Sequence, residues 1–551
     1  MRCGTLYLDK KINTEEQGMK QEILLGDEAV ALAAIHAGLS GGYSYPGTPA
    51  SEIMEYLLRA SAQEKSFVAS WSVNEKVAYE EALGVSYAGK RALVSMKHVG
   101  LNVAADPFMN SAITGANGGL VVVVADDPGM HSSQNEQDSR FYAEFAKIFC
   151  FEPSNHQEAY DMTREAFDLS EHLGIPVMIR MVTRLSHSRS RVQPRPPKQQ
   201  NVLKYGVSTD WTLLPVHARR RFKILVDKQK DLIGESNRSR FNSLLINPLD
   251  TSLGVIASGI AANYVKENYV DGQEQPSFLK MTTYPIPEDL IKKLVDHVDT
   301  LLVVEEGYPL IEKTLSGLFG IPGKKIHGKL SGHLPATGEL SPGIVREGLG
   351  MTPLLKRALE VFPMAARPPQ LCLGCSHADT YRALNEALES YPKSNVSSDI
   401  GCYTLGALPP YNAIQSCVCM GASVSMAKGG AEAGVFPSVA VIGDSTFAHS
   451  GLTPLLAAAA ANTNMTVFIL DNSTVAMTGG QPTFLSGEKL VKVIEGIGVA
   501  KDHIRTILPL PKNHDDNVQI MKQEIDHQGL SVIIAARECV QQMRKKKRSK
   551  T

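Results

Sequence analysis

Residues Val439–Gln481 read VAVIGDSTFAHSGLTPLLAAAAANTNMTVFILDNSTVAMTGGQ. Two apolar runs, VAVIGDS and MTVFILDN, end in polar residues. Between them lies an Ala/Leu-rich stretch of helical character, Gly451 to Ala461. Strand, helix, strand at this length predicts one parallel βαβ unit. Ligands of open parallel sheets gather at the carboxyl ends of the strands. Asp444 falls just past the first strand and Asn472 just past the second, so two hard oxygen donors face one crevice. That pair suits Mg²⁺, which takes a few protein oxygens and fills its other positions with phosphate. Gly443 is expected to let the backbone approach that phosphate.

A Gly-Asp-Ser followed one strand later by an Asn-containing turn resembles the signature that binds thiamine diphosphate (ThDP). A Rossmann-like βαβ unit with an incidental Asp and Asn reads the same way, so the rest of the chain must decide. The chain has 551 residues, 56 Lys+Arg against 57 Asp+Glu, and 43% hydrophobic content. That is a globular composition, long enough for several domains. The charge balance gives no reason to expect nucleic acid or membrane binding. No apolar run reaches the roughly 18–20 residues of a membrane span, and the start lacks an apolar signal-peptide core. Eight Cys suggest a reducing, cytoplasmic setting, where spaced cysteines point to a metal or redox site.

The predicted fold class is α/β: two doubly wound ThDP-binding-type domains flanking a smaller α/β domain. Residues 1–20 read as an N-terminal extension, with Met19 an equally sensible start. Residues 21–190 alternate helices and strands, and LVVVVA is continuous and apolar, as a strand buried on both faces should be. Here KHVGLNVAADPFMNS reads as a polar loop. Residues 191–250, opening basic and Pro-rich, read as a linker and a charged helical arm. Residues 251–365 read as the small α/β domain and include PSFLKMTTYP as one strand. Residues 366–545 carry the opening motif, and 546–551 form a basic tail.

Several positions carry chemistry. Glu75, in WSVNEKVAYEEA, starts a helix directly after a strand. ThDP catalysis needs a carboxyl group on the aminopyrimidine, in a fairly dry pocket on a domain facing the one that holds the diphosphate. The bland alternative is an exposed first-turn Glu favoured by the helix dipole. In YPGTPASEI, Thr48 offers a hydroxyl to a substrate carboxylate or carbonyl; alternatively Thr48 or Ser51 caps the next helix. Lys97, His98 and Asn102 follow the third strand on the same crevice side, and His98 is a candidate to orient substrate or move protons, or a structural His. Cys372 and Cys375 form a C-x₂-C, Cys402 follows in DIGCYTLG, and Cys539 lies far away in AARECV. Cys₄ ligation holds a [4Fe–4S] cluster; zinc or simply buried thiols fit the spacing too. Cys417 and Cys419 are rival ligands, the fourth position being the least certain.

Together YPGTPASE, WSVNEK, CLGCSH, DIGCYTLG, CMGAS, GDSTFAHSG and LDNSTVAMTGGQP resemble the ThDP-binding large subunit of indolepyruvate ferredoxin oxidoreductase, one of the 2-oxoacid:ferredoxin oxidoreductases. The resemblance covers roughly residues 20–540, in the family's order. It implies an oxygen-sensitive enzyme that converts aryl pyruvates and coenzyme A to aryl-acetyl-CoA and CO₂ and reduces ferredoxin. It implies a smaller β subunit as partner. Carried over by position, Glu75 is the activating carboxylate and Asp444 and Asn472 hold Mg²⁺. Gly443, Ser445 and the backbone near Thr474 meet the diphosphate, and Cys372, Cys375, Cys402 and Cys539 bind the cluster. Two features depart from the family. The chain ends in RKKKRSKT without a C-x₂-C-x₂-C run, which would leave electron exit to ferredoxin or a separate ferredoxin-like subunit. CLGCSH also lacks the Pro that tends to follow the first Cys. The expected rivals are a non-oxidative ThDP-dependent 2-oxoacid decarboxylase or carboligase, which needs no cluster, and a non-catalytic subunit that retains the fold.

Overall fold

The computed structural model describes residues 20–269, 273–353 and 369–548. They fall into two compact units, 1–357 and 358–551. The N-terminal extension apart from Lys20, the domain boundary near 365 and the tail beyond Arg548 lie outside the described residues.

The first unit is built on a seven-stranded sheet. Its order is Thr283–Tyr284, Phe149–Phe151, Val177–Val182, Leu120–Asp126, Ala92–Lys97, Gly41–Ser44, Val68–Trp71. Six strands are parallel; only Thr283–Tyr284 runs antiparallel, at the edge. The central strand Leu120–Asp126 is buried along its whole length, which explains its unbroken Val run: both faces carry helices. At about 1.5–3 kcal/mol per fully buried aliphatic side chain, this strand anchors the unit.

The stretch after Lys97 is not a loop. Helices His98–Val103 and Ala105–Thr114 follow the strand at once. Leu101, Ala104, Phe108 and Ala112 recur at helical spacing and are buried. The polar residues between them and Pro107, which sits in a first helical turn where proline is tolerated, hide that period.

The small domain carries its own five-stranded sheet, in the order Lys325–His327, Thr300–Val304, Leu253–Ser258, Ser277–Met281, Ser243–Leu245. It is not an independent body. The run PSFLKMTTYP splits: Ser277–Met281 stays in this sheet, while Thr283–Tyr284 completes the seven-stranded one. A buried charge network joins the two sheets. Arg180 Nε donates to Asp126 at 2.6 Å and its Nη1 to Glu152 at 2.5 Å. Arg140 pairs with Asp138 at 2.5 Å and with Glu305 at 3.0 Å, and its Nη1 donates to the Tyr284 hydroxyl. Burial opposes ionisation of Asp138, but Arg140 and Arg180 prevail and hold its pKa at about 2.

The expected linker is a strap. Arg189–Val192 pairs antiparallel with Glu22–Leu25. Beyond it, Gln200 donates to the carbonyls of Leu39 and Ser66, and Asn201 to that of Gly89. Side-chain amides and backbone bonds, not apolar periodicity, hold this segment down.

The second unit is a six-stranded, wholly parallel sheet in the order Ser416–Cys417, Asn395–Ser398, Ser438–Gly443, Met465–Asp471, Leu530–Ala536, Ile504–Ile507. Its three central strands are buried almost throughout. The connecting helix starts earlier than Gly451. One turn at Asp444–Thr446 and a wide-turn segment Phe447–Gly451 run straight into Leu452–Ala460. Among the described residues, no helix is long and apolar enough to cross a membrane.

Candidate active site

In the first unit the candidate residues come from the carboxyl ends of adjacent strands, where open parallel sheets bind ligands. Asn74 caps the helix Glu75–Tyr87 by accepting from the Val77 N–H at 2.9 Å. That cap fixes Glu75 as the first helical residue. Glu75 is only 5% exposed, so it is not a solvated first-turn acid. A Cβ at Gly100 would stand 2.6 Å from its Oε1, so the glycine makes room for the carboxylate.

Lys97 ends its strand beside this group. A Cβ at Gly47 would lie 3.3 Å from the Lys97 side chain. Burial lowers the Lys97 pKa below its ordinary value, against the opposing charges of Asp127 and Glu75. Thr48 is half-buried, and the helix after it begins at Ser51 with no side-chain cap. Neither Thr48 nor Ser51 therefore serves as an N-cap; Ser51 Oγ accepts instead from the Gly47 N–H at 2.9 Å. His98 is 1% exposed, with Nε2 3.2 Å from both the carbonyl and the side-chain oxygen of Asn135. It is a buried group that holds Asn135, not an imidazole open to the crevice.

In the second unit Asp444 and Asn472 follow adjacent strands, and both are buried. The Asp444 carboxylate accepts from the N–H of Ser445 at 2.7 Å and of Ser473 at 2.8 Å. Asn472 Oδ1 accepts from the Thr474 N–H at 3.1 Å. Asp471 lies beside Asp444: burial first, then the charge of Asp471, pushes the Asp444 pKa well above the carboxylate range. Two carboxylates buried together cannot both stay charged without a cation. The donor set, two carboxylates and an amide oxygen, fits Mg²⁺. Gly443 serves packing: its φ is −80° and a Cβ there would meet the Tyr403 ring at 2.6 Å.

The four cysteines singled out above share one neighbourhood. The Cys402 thiol is pushed up to about 12 by burial, and then by Cys375, Cys539 and Cys372. Cys375 is raised by burial, with Cys372 and Cys539 adding to it, while the N–H groups of His377 and Ala378 pull it down. Cys417 and Cys419 stand apart: burial raises both thiols, Asp399 adds to each and Cys419 to Cys417, and Cys417 meets Thr404. The thiols of Cys375 and Cys402, which burial keeps neutral, are ones a metal would deprotonate on binding. Among the described residues, no three His, Cys, Asp or Glu side chains converge closely enough to cage a single ion. An iron–sulfur cube is a wider body held by four thiolates at its corners, and the set fits that better than zinc.

The two sites of this unit touch through backbone. The Cys539 N–H donates to the Asn472 carbonyl at 3.2 Å, and the Arg537 N–H to that of Asp471 at 2.9 Å. His377, two residues after Cys375, is buried, and its Nε2 lies 3.2 Å from the Asn472 side-chain nitrogen. The sequence reading gave no role to Lys97, Asp471 or His377. Lys97 and Asp471 adjoin His98 and Asn472, and His377 follows Cys375 by two residues; that proximity is the available signal.

Residues 32–211 match the family model described as pyruvate flavodoxin/ferredoxin oxidoreductase, thiamine diP-bdg, and residues 399–535 match the thiamine pyrophosphate enzyme, C-terminal TPP binding domain. A solved 2-oxoglutarate:ferredoxin oxidoreductase from Magnetococcus marinus overlaps 60% of this chain and 65% of its own, at 15% identity and a TM-score of 0.49. The indolepyruvate oxidoreductase subunit IorA of Archaeoglobus fulgidus is 37% identical over 94% of this chain and 86% of its own length. Its namesakes from Methanothermobacter thermautotrophicus and Pyrococcus abyssi are 38% and 37% identical over 94% of the chain, covering 86% and 85% of their own lengths. The chain therefore belongs to the indolepyruvate oxidoreductase subunit IorA family, oxidoreductases with thiamine-diphosphate-binding domains.

Proposed function

We propose that the chain carries out the oxidative decarboxylation of an aryl pyruvate. A 2-oxoacid and coenzyme A give an acyl-CoA and CO₂, and the two electrons released leave singly to ferredoxin. The observation that carries this reading is the shared neighbourhood of Cys372, Cys375, Cys402 and Cys539, with the Cys539 N–H on the Asn472 carbonyl. A non-oxidative decarboxylase has no use for a one-electron acceptor there. The relatives are named as subunits of an indolepyruvate oxidoreductase, which supports an indolepyruvate-like substrate and a smaller β subunit as partner.

When bound, ThDP would supply the nucleophilic carbon and the electron sink that decarboxylation of a 2-oxoacid needs. The chain's own residues do the rest. Glu75 hydrogen-bonds the aminopyrimidine in a dry pocket. Asp444 and Asn472 would present oxygens to Mg²⁺, and Ser445 and the backbone at Thr474 would meet the diphosphate. Lys97, a partly desolvated cation, would take the substrate carboxylate, with a hydroxyl from Thr48, the residue after the Gly47 that packs on the Lys97 side chain. The cysteine set holds a [4Fe–4S] cluster, the one-electron acceptor that a two-electron donor requires.

The test is anaerobic purification with the β subunit, then assay with indolepyruvate, coenzyme A and ferredoxin. Acyl-CoA and reduced ferredoxin in step with CO₂ are expected. An aldehyde with no reduced ferredoxin assigns the non-oxidative decarboxylase instead.

A further inference from the structure

We infer that His377 is a positioning residue for the metal ligand Asn472, and that through it the cysteine loop sets the orientation of the Mg²⁺ site. The inference rests on the reading of Asn472 as a Mg²⁺ ligand.

The chemistry of the donors fixes the geometry. Asn472 Oδ1 is already identified by the Thr474 N–H that it accepts at 3.1 Å. The atom facing His377 Nε2 at 3.2 Å is therefore the amide nitrogen. An amide nitrogen only donates, so Nε2 accepts through its lone pair and the imidazole is neutral. The Asn472 amide is then held at both ends: its nitrogen by His377, its oxygen by Thr474 with one lone pair left for a cation. Without His377 the buried NH₂ loses its acceptor, and the amide gains freedom to turn its nitrogen toward the metal, which repels it.

The ring itself has little freedom. It is 2% exposed and meets Tyr403 edge-on, with centroids 6.1 Å apart. Its backbone belongs to the first turn of the helix Ser376–Leu388, directly after Cys375. The backbone N–H groups of His377 and Ala378 lower the pKa of the Cys375 thiol. One residue thus gives its main chain to the cysteine set and its side chain to the metal ligand. On the opposite side the Cys539 N–H holds the Asn472 carbonyl. Asn472 is clamped between the two halves of the cysteine set.

The test uses the full chain with its β subunit and compares His377→Phe, which keeps a ring and removes the acceptor, with His377→Gln, which returns an acceptor oxygen. Calorimetry measures ThDP binding across a Mg²⁺ series, and iron content and thermal unfolding are followed beside it. His377→Phe is expected to need roughly 10–100-fold more Mg²⁺ for half-saturation, the usual cost of losing a partner that orients a ligand. His377→Gln is expected to stay near the wild type. If phenylalanine upsets the buried site, His377→Ala is measured in its place. An unchanged Mg²⁺ requirement in the acceptor-less variant overturns the inference. So does an equal loss in the Gln variant, which would make the ring a packing element. Wild-type protein that binds ThDP equally with and without Mg²⁺ would overturn the metal-site reading itself, a result distinct from either.

Discussion

Asp444 Oδ2 accepts a hydrogen bond from the Ser473 N–H at 2.8 Å, tying the turn after one strand to the turn after its neighbour. The bond pulls the two turns together, and it leaves a carboxylate that burial and Asp471 push toward the protonated state. The proposed Mg²⁺ would resolve that conflict. Asp444→Ala should weaken Mg²⁺-dependent ThDP binding on the order of 100-fold, because Mg²⁺ has few protein ligands to spare. Calorimetry with and without Mg²⁺ decides it: equal affinity in variant and wild type removes Asp444 from the metal site.

Glu75 is buried and its space is kept open by Gly100. Glu75→Gln should lower kcat by about 100- to 10,000-fold, the range for losing a proton-handling group, with only a modest loss of ThDP affinity. Gly100→Ala should damage turnover in the same way, since the added methyl would sit 2.6 Å from Glu75 Oε1. Steady-state kinetics beside ThDP titrations check both. Near-normal kcat in Glu75→Gln would take the carboxylate out of the reaction.

How far the sequence reveals this site depends on what carries each feature. Apolar periodicity exposes strands such as Leu120–Asp126 and the βαβ unit around Asp444, because burial writes directly into residue type. Glu75 is visible because a capping Asn and a helix start sit right after a strand. Contacts between segments distant in sequence leave no such mark. Nothing in AARECV shows that the Cys539 N–H reaches Asn472, and nothing in LDN shows that Asp471 lies beside Asp444. The strap after Val192 reads as a linker because amide side chains such as Gln200 hold it. His98 reads as a loop residue because the helix it starts is masked by polar positions, and its burial against Asn135 is tertiary.

Lys97 offers a pH signature. Its pKa is lowered from 10.5, chiefly by burial. The ammonium that would hold the substrate carboxylate is therefore lost at a pH below that of an ordinary lysine. KM for the 2-oxoacid should rise with pH before 10.5 is reached, with kcat less affected. Lys97→Met should raise KM about tenfold or more and abolish that rise, since a charge-assisted contact is worth about 1.5–3 kcal/mol. A Lys97→Met profile that overlays the wild type would leave substrate binding to other groups.

Glu306 gives a stability test away from the chemistry. Burial raises its pKa to about 7 from 4.5, only partly opposed by Lys329 and the Leu340 N–H. The folded state therefore holds a proton that the unfolded state gives up between those values. Its contribution to stability is complete below pH 4.5 and is lost as pH rises toward about 7. The amount is no more than about 3–4 kcal/mol at about 1.36 kcal/mol per unit. Glu306→Gln should keep the acceptor for Leu340 and flatten urea-unfolding stability of the chain across that window. A wild-type slope that survives in the variant would assign it to another group.

The most direct test of the central claim is the visible spectrum of the anaerobically purified protein, loaded with Mg²⁺ and ThDP, before and after addition of indolepyruvate and coenzyme A. The account predicts an iron–sulfur absorption that bleaches on substrate addition and is absent from Cys402→Ser. CO₂ release with no such absorption, or with an absorption that substrate leaves unchanged, would contradict it.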